Sequence, residues 1–192
     1  MSIAILAPFL GVSTPITVLQ MLWINIVMDT LAGLAYGGER PRASYMQERP
    51  KRRDEAIINR YMWGQIIWAS IFIGIISLWF LKWFVGPTVT YTMTAFFAFF
   101  MFINILNSFN SRTHDFNLMS YLSLNKPFVW IMGVVTVAQI LLIFLGGSVF
   151  RTEPISLKHF LLVLILAGTI IPIDLARKYV IRLRYGKNTA TT

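Results

Sequence analysis

Five stretches of this chain, 16–36, 61–84, 93–109, 128–150 and 160–176, are long and apolar enough to cross a bilayer as helices. A span of the hydrocarbon core takes roughly 20 apolar residues. The third and fifth stretches lie near the short end, and each can extend by a turn into its flanks. A sixth apolar piece, 3–10, is too short to span and contains Pro8. It has neither the basic start nor the small-residue cleavage site of a signal peptide. It therefore reads as the end of an incomplete membrane helix over 1–12. The expected fold is all-α: a polytopic transmembrane helical bundle with five full spans plus a partial N-terminal helix. The five-helix domain occupies 13–192 and ends in a basic tail, 177–192.

Composition supports a membrane class. Apolar residues make up 56% of the chain and charged residues only 13%, against about a quarter charged in soluble domains. Cysteine is absent, which excludes disulfides, thiolate metal sites and thiol nucleophiles.

Charge sets the orientation. Of 17 Lys and Arg, 14 lie in the first loop, the third loop and the tail, and only Lys82, Arg151 and Lys158 lie on the other side. The positive-inside rule places the first group, and the C-terminus, in the cytoplasm. Trp79, Trp83 and Tyr91 then fall at the outer interface, where amphipathic rings are favoured. Topology and anionic lipid account for the net charge of +9, so membrane lipid is an expected partner and nucleic acid is not.

Ionisable groups inside a membrane are costly and draw attention as functional. Asp29 lies on the first span, with Asn25 one i,i+4 step before it, so a helix puts both oxygen-bearing groups on one face. An acid beside an amide carbonyl forms part of a cage for a hard cation. Equally, Asn25 could bond a neighbouring helix and Asp29 could pair with a basic residue, and Gly33, Ala35 and Gly37 would fit close packing under either reading. Asp174 precedes Arg177 and Lys178 by about one turn, which a local ion pair explains. Asn104 and Asn107, at i,i+3 on the third span, read as packing hydrogen bonds between helices. The run Phe96, Phe97, Phe99, Phe100 and Phe102 is assigned to lipid and neighbouring helices. His114 and His159 lack companions at ligand spacing.

Taken together, Gln20-Met21-Leu22-Trp23-Ile24-Asn25-Ile26-Val27-Met28-Asp29 resembles the sixth membrane helix of P-type calcium pumps, where Gln-x-Leu-Trp-x-Asn-x-x-x-Asp carries cation ligands. Met46-Gln47-Glu48-Arg49-Pro50-Lys51-Arg52 resembles the Met-x-Arg-Pro-Pro-Arg stretch before the seventh helix, with Lys51 replacing the second Pro and the Met one residue early. Asn104-Ile105-Leu106-Asn107-Ser108 is similar to the inner end of the eighth helix, and Ile173-Asp174 to the acidic end of the tenth.

The resemblance implies that Asn25 and Asp29 are ligands of the calcium site these pumps share. Met28 stands where reticulum-type pumps have a ligating Thr, and Met101 where they have a ligating Glu. A thioether is a poor ligand for a hard cation, so both departures favour the one-site plasma-membrane or secretory-pathway pattern. The implied cargo is Ca2+, with Mg2+ and ATP used only by an intact pump. The phosphorylation motif Asp-Lys-Thr-Gly-Thr is not in the sequence. The chain accordingly resembles the C-terminal transmembrane third of a pump, and its partners would be the remaining helices and cytoplasmic domains. The alternative is a stand-alone or vestigial membrane protein acting as a subunit. The resemblance implies a multi-pass protein of a plasma or cell membrane.

The charge bias makes a direct prediction. Single cysteines introduced at Thr88 and Lys187 should react with an impermeant thiol reagent from opposite sides of the membrane. Labelling from the same side would defeat the five-span topology.

Overall fold

A computed structural model of the protein describes residues 16–38, 60–112 and 125–185. The piece 1–12, most of the first basic loop, His114 and the tail beyond 185 lie outside the described residues. Among those described, regular structure is helical throughout and no strand occurs. The helices are α1 (Val18–Trp23), α2 (Asp29–Gly37), α3 (Arg60–Trp83), α4 (Val89–Arg112), α5 (Lys126–Leu145), α6 (Gly147–Phe150), α7 (Leu157–Gly168) and α8 (Ile170–Tyr185). A π-helical turn, Ile24–Met28, joins α1 to α2. Five segments are long and apolar enough to cross a membrane: Val18–Gly37, Met62–Trp83, Val89–Arg112, Lys126–Leu145 and Leu157–Val180.

Helix α4 is the centre of the bundle, packed against α3, α5, α7 and α8. Within the membrane-length window 61% of α4 is buried, against 11% for α3. This position bears out the neighbouring helices as partners of the Phe-rich run and corrects its exposure to lipid. Phe96, Phe97 and Phe99 are fully buried and Phe102 nearly so. A helix apolar all round fills a core when neighbours surround it. Phe99 stacks on Phe80 of α3 at 4.9 Å, and Phe102 meets Phe160 of α7 edge-on at 5.7 Å. Small side chains at Ala95 and Ala98, fully buried, let other backbones approach α4 closely.

The turns after α3 and α5 are tied to one another by hydrogen bonds. The Tyr91 hydroxyl accepts from the Ser156 N–H at 2.8 Å and lies 2.8 Å from His159 Nδ1. The Glu153 N–H donates to Thr94 Oγ1 at 3.0 Å. Tyr91 is therefore a buried anchor and not an interfacial ring, because its hydroxyl finds protein partners. Trp79 and Trp83 are exposed, with their rings stacked at 6.5 Å.

Two apolar stretches are broken by identifiable chemistry. The fourth runs to residue 150 in sequence, but α5 ends at Leu145. The chain turns at Gly146, where a Cβ would lie 2.3 Å from the Leu142 carbonyl oxygen and 2.8 Å from Thr152 Oγ1. Gly147 follows with φ 49°, a conformation that suits glycine. The fifth span divides at Thr169, between α7 and α8. Pro172 has no N–H to give the carbonyl of residue 168; separately, the Thr169 hydroxyl donates to Leu166 O at 2.6 Å.

Asp174 forms the local ion pair its spacing implied, and the pair is buried. Its carboxylate meets Arg177 Nε at 2.8 Å and Lys178 Nζ at 3.0 Å. Lys178 Nζ also donates to the Asn110 carbonyl of α4 at 3.0 Å, and Asn110 Nδ2 donates to Ile170 O at 3.2 Å. Removing one member of a buried pair leaves charge uncompensated, typically at a cost of about 3–5 kcal/mol. Asp174→Asn should accordingly lower the unfolding midpoint of the purified chain in detergent by a matching amount, read by denaturant titration. An unchanged midpoint would remove Asp174 from the interactions that hold α8 to α4.

Candidate functional site

The first span is anchored at both ends before its acid is placed. At its N-terminal end, Thr17 and Gln20 form a capping box, the reciprocal arrangement that satisfies two helix-end donors. Gln20 Oε1 accepts from the Thr17 N–H at 3.0 Å, while its Nε2 donates to the Phe150 carbonyl at 2.9 Å. Trp23 meets the Phe150 ring edge-on at 6.0 Å. At the other end, the Tyr36 hydroxyl donates to the Ser108 carbonyl of α4 at 2.8 Å. The Tyr36 ring lies 5.7 Å from Phe128 of α5. Ala35 is fully buried in the core.

Between these anchors lies the π turn. Asp29 N–H bonds to Ile24 O, an i→i+5 link that widens the helix, and such turns are frequent at functional sites. No proline or glycine occurs between Gln20 and Thr30. With both ends of the span tied to neighbours, the surplus residue is taken up in this turn. Ile24 and Met28 face inward and are buried, whereas Asn25 within the turn and Asp29 directly after it are exposed.

Asp29 opens into a cavity of about 540 Å³ between the first span and α4, lined also by Ala32, Gly33, Tyr36, Asn104, Asn107 and Ser108. Asn25 is not among the lining residues. The side chains of Asn25 and Asp29 make no hydrogen bond or ion pair among the described residues. Gly33 and Gly37 face open space; their spacing serves no close contact among the described residues.

The amides of α4 differ from the sequence reading. Asn104 Nδ2 donates to its own helix, at the Phe100 carbonyl, 2.6 Å away, rather than to a neighbouring helix. Its amide oxygen remains an acceptor, and both Asn104 and Asn107 line the Asp29 cavity. Their spacing with Ser108 and Ser111, at i, i+3, i+4 and i+7, is one helix face and was the available signal. Met28 and Met101 are buried in the apolar core. Among the described residues, no three His, Cys, Asp or Glu gather as a metal cage. Among the described residues, Asp29 is the one carboxylate lining the cavity.

These features define a class: a polytopic membrane domain with an intramembrane carboxylate at a π turn, facing a polar cavity. Residues 13–180 match the family described as cation transporting ATPase, C-terminus. The chain belongs to that family and corresponds to the C-terminal transmembrane region of P-type calcium-transporting ATPases. It is 32% identical over 167 residues to calcium-transporting ATPase 4, plasma membrane-type, of Arabidopsis thaliana, covering 81% of this chain and 16% of that protein. It is 30% identical over 185 residues to the plasma membrane calcium-transporting ATPase mca-1 of Caenorhabditis elegans, covering 85% of this chain and 15% of that protein. Calcium-transporting ATPase 2 of Schizosaccharomyces pombe is 29% identical over 170 residues, 84% of this chain and 13% of that protein. The chain thus spans 13–16% of the length of these relatives.

The donor set predicts weak binding by this chain alone. Calcium takes roughly 6–8 oxygens, while Asn25 offers one amide oxygen and Asp29 at most two carboxylate oxygens. Asn104 and Asn107 add neutral oxygens but no charge, so one carboxylate faces a dication. Calorimetry on the purified chain should give a dissociation constant of about 1 mM or weaker, in the loosest range of calcium sites. Micromolar binding that is lost when Asn25 and Asp29 become alanine would overturn this estimate of the donor set.

Proposed function

We propose that this chain supplies the supporting helices and two ligands, Asn25 and Asp29, of a cation site in a P-type pump whose cargo is Ca2+. The observation that carries the reading is Asp29 itself. It is an intramembrane carboxylate without a basic partner among the described residues, presented by a π turn beside amide oxygens. Such a charge is tolerated in a span when it serves an ion path. Plasma-membrane calcium-transporting ATPases among the relatives favour calcium as cargo and a plasma or cell membrane as location.

In this reading ATP hydrolysis, with its Mg2+, belongs to the cytoplasmic domains of an intact pump, and the remaining helices complete the coordination shell. Phosphorylation there would drive the first span between arrangements that expose Asn25 and Asp29 to alternate sides. The basic first loop and tail would lie in the cytoplasm, as the distribution of Lys and Arg favours. A free-standing subunit is not favoured, because the family match runs through all five spans.

The test uses an intact pump carrying this segment. Asp29→Asn keeps the shape and removes the charge. It should weaken calcium-stimulated phosphorylation by about two orders of magnitude in apparent affinity, equivalent to roughly 3 kcal/mol. Met101→Leu, which conserves volume at a buried position, should leave the calcium stoichiometry unchanged. Normal calcium dependence in Asp29→Asn would reject the ligand assignment.

A further inference from the structure

We propose that Gln139 of α5 is a positioning residue for the cation site. Its buried amide captures a backbone carbonyl of the π turn when that turn shifts along the first span and brings Asn25 beside Asp29. The role in binding rests on Asn25 and Asp29 being cation ligands.

Gln139 is fully buried, and neither its Nε2 nor its Oε1 has a hydrogen-bond partner among the described residues. An amide left bare in an apolar core is expensive, and a bilayer offers no water to relieve it. Its place is set by the face it shares. Phe128, Met132, Val135, Gln139 and Leu142 are all buried at spacings of three and four, so they form one stripe of α5. On that stripe Phe128 meets Tyr36 of the first span and Phe109 of α4.

Register then fixes what lies opposite the amide. The first span and α5 run antiparallel, with Pro127 against Gly38 at one end and Gln20 bonded to the Phe150 carbonyl beyond the other. As many residues back from Gly38 as separate Pro127 from Gln139 leads to Ile26, inside the π turn Ile24–Met28. A helical side chain leans toward its own N-terminus, so the amide reaches toward the Asp29 end of that turn. The count from Phe128 to Gln139, taken back from Phe109, leads to Ala98. There α4 is regular helix carrying the buried apolar side chains of Ala98, Met101 and Phe102. At this height, among the described residues, the irregular backbone is the π turn. Its surplus residue adds one carbonyl for which the helical ladder has no N–H.

The same turn holds the two ligands apart. In a regular helix an i,i+4 pair shares a face. The surplus residue lowers the rotation per residue and carries Asn25 aside, so Asn25 does not line the cavity at Asp29. Moving the surplus residue out from between them restores the regular spacing and turns Asn25 onto the cavity. The move also changes which carbonyl lacks an N–H. Gln139 Nε2 is the donor placed to receive one on the inward side of the span, where Ile24 and Met28 are buried. One hydrogen bond thereby favours the arrangement with the ligands together; in this structure they are apart and the amide is unpaired.

Gln139→Leu removes the amide at nearly constant volume. In an intact pump carrying this segment it should weaken the apparent calcium affinity for phosphorylation about fivefold, the weight of one hydrogen bond. In an Asn25→Ala background the same change should cost less than about twofold, because no Asn25 oxygen is left to bring in. A merely structural role would give the same loss in both backgrounds. In the purified chain in detergent, Gln139→Leu should hold or raise the unfolding midpoint, since it replaces a bare polar group with an apolar one. A lowered midpoint, or equal losses in the two backgrounds, would overturn the proposal. Weakened affinity in Asn25→Ala and Asp29→Asn with none in Gln139→Leu would reject the capture by Gln139 alone. Normal calcium dependence in both ligand variants would reject the ligand reading, and the role of Gln139 with it.

Discussion

Helices already in hydrocarbon gain little by hiding apolar surface from one another. Close contact and internal satisfaction of polar groups must hold them together. Both are concentrated on α4. Its middle is a slab of rings and small side chains, with Phe99 against Phe80 and Phe102 against Phe160. Its two ends carry the hydrogen bonds that locate other spans. At its N-terminal end Thr94 accepts from the Glu153 backbone and Tyr91 from Ser156. At the other end the backbone oxygens of Ser108 and Asn110 accept from Tyr36 and Lys178. The first and last spans are thus referenced to one central rod, and the position of Asp29 follows from it.

The same requirement explains where regular helix is abandoned. Each interruption is accompanied by a substitute for the lost backbone bond, or by a carbonyl put to use elsewhere. At Gly146 the chain turns and Thr152 Oγ1 donates to Leu142 O at 3.2 Å. The turn also presents the Phe150 carbonyl to Gln20. At the π turn the i→i+5 bond from Asp29 replaces the regular one. That turn lies between the two tethered ends of the first span, so a local widening presents Asn25 and Asp29 without moving the helix ends.

Much of this was legible in the sequence, for physical reasons. Span count follows from run length, because the bilayer sets a minimum. The Asp174 pair follows from i,i+3 and i,i+4 spacing. What could not be read is whatever depends on which helix lies beside which. The Phe run shows this, since apolar rings suit lipid and core equally until α4 is known to be central. Tyr91 looked interfacial because its hydroxyl partners, Ser156 and His159, lie more than 60 residues away. Gln20 carried a motif, yet its bond to Phe150 bridges 130 residues. The π turn has no composition marker, as neither proline nor glycine is present. Asn104 and Asn107 were noticed, but their relation to Asp29 required the α2–α4 placement. Boundaries at Gly146 and Thr169 were hidden within apolar runs, although Gly146-Gly147 and Pro172 were visible as breakers.

The two acids within the described spans show how environment, and not residue type, sets what a carboxylate in a span can do. Asp174 is enclosed with two cations, both within about a helical turn, and its charge is consumed in holding α8 against α4. Such a carboxylate is poorly suited to an exchangeable ion, because binding a metal would have to displace Arg177 and Lys178 from a buried position. Asp29 has the opposite setting: an exposed carboxylate at the end of a widened turn, with neutral oxygens across a cavity and no ion pair among the described residues. Neutral oxygens add coordination without neutralising the acid, so its charge remains available to a cation. A lysine in place of Asn104 would cancel that field, and a carboxylate there would deepen it. The amide holds the site between these extremes.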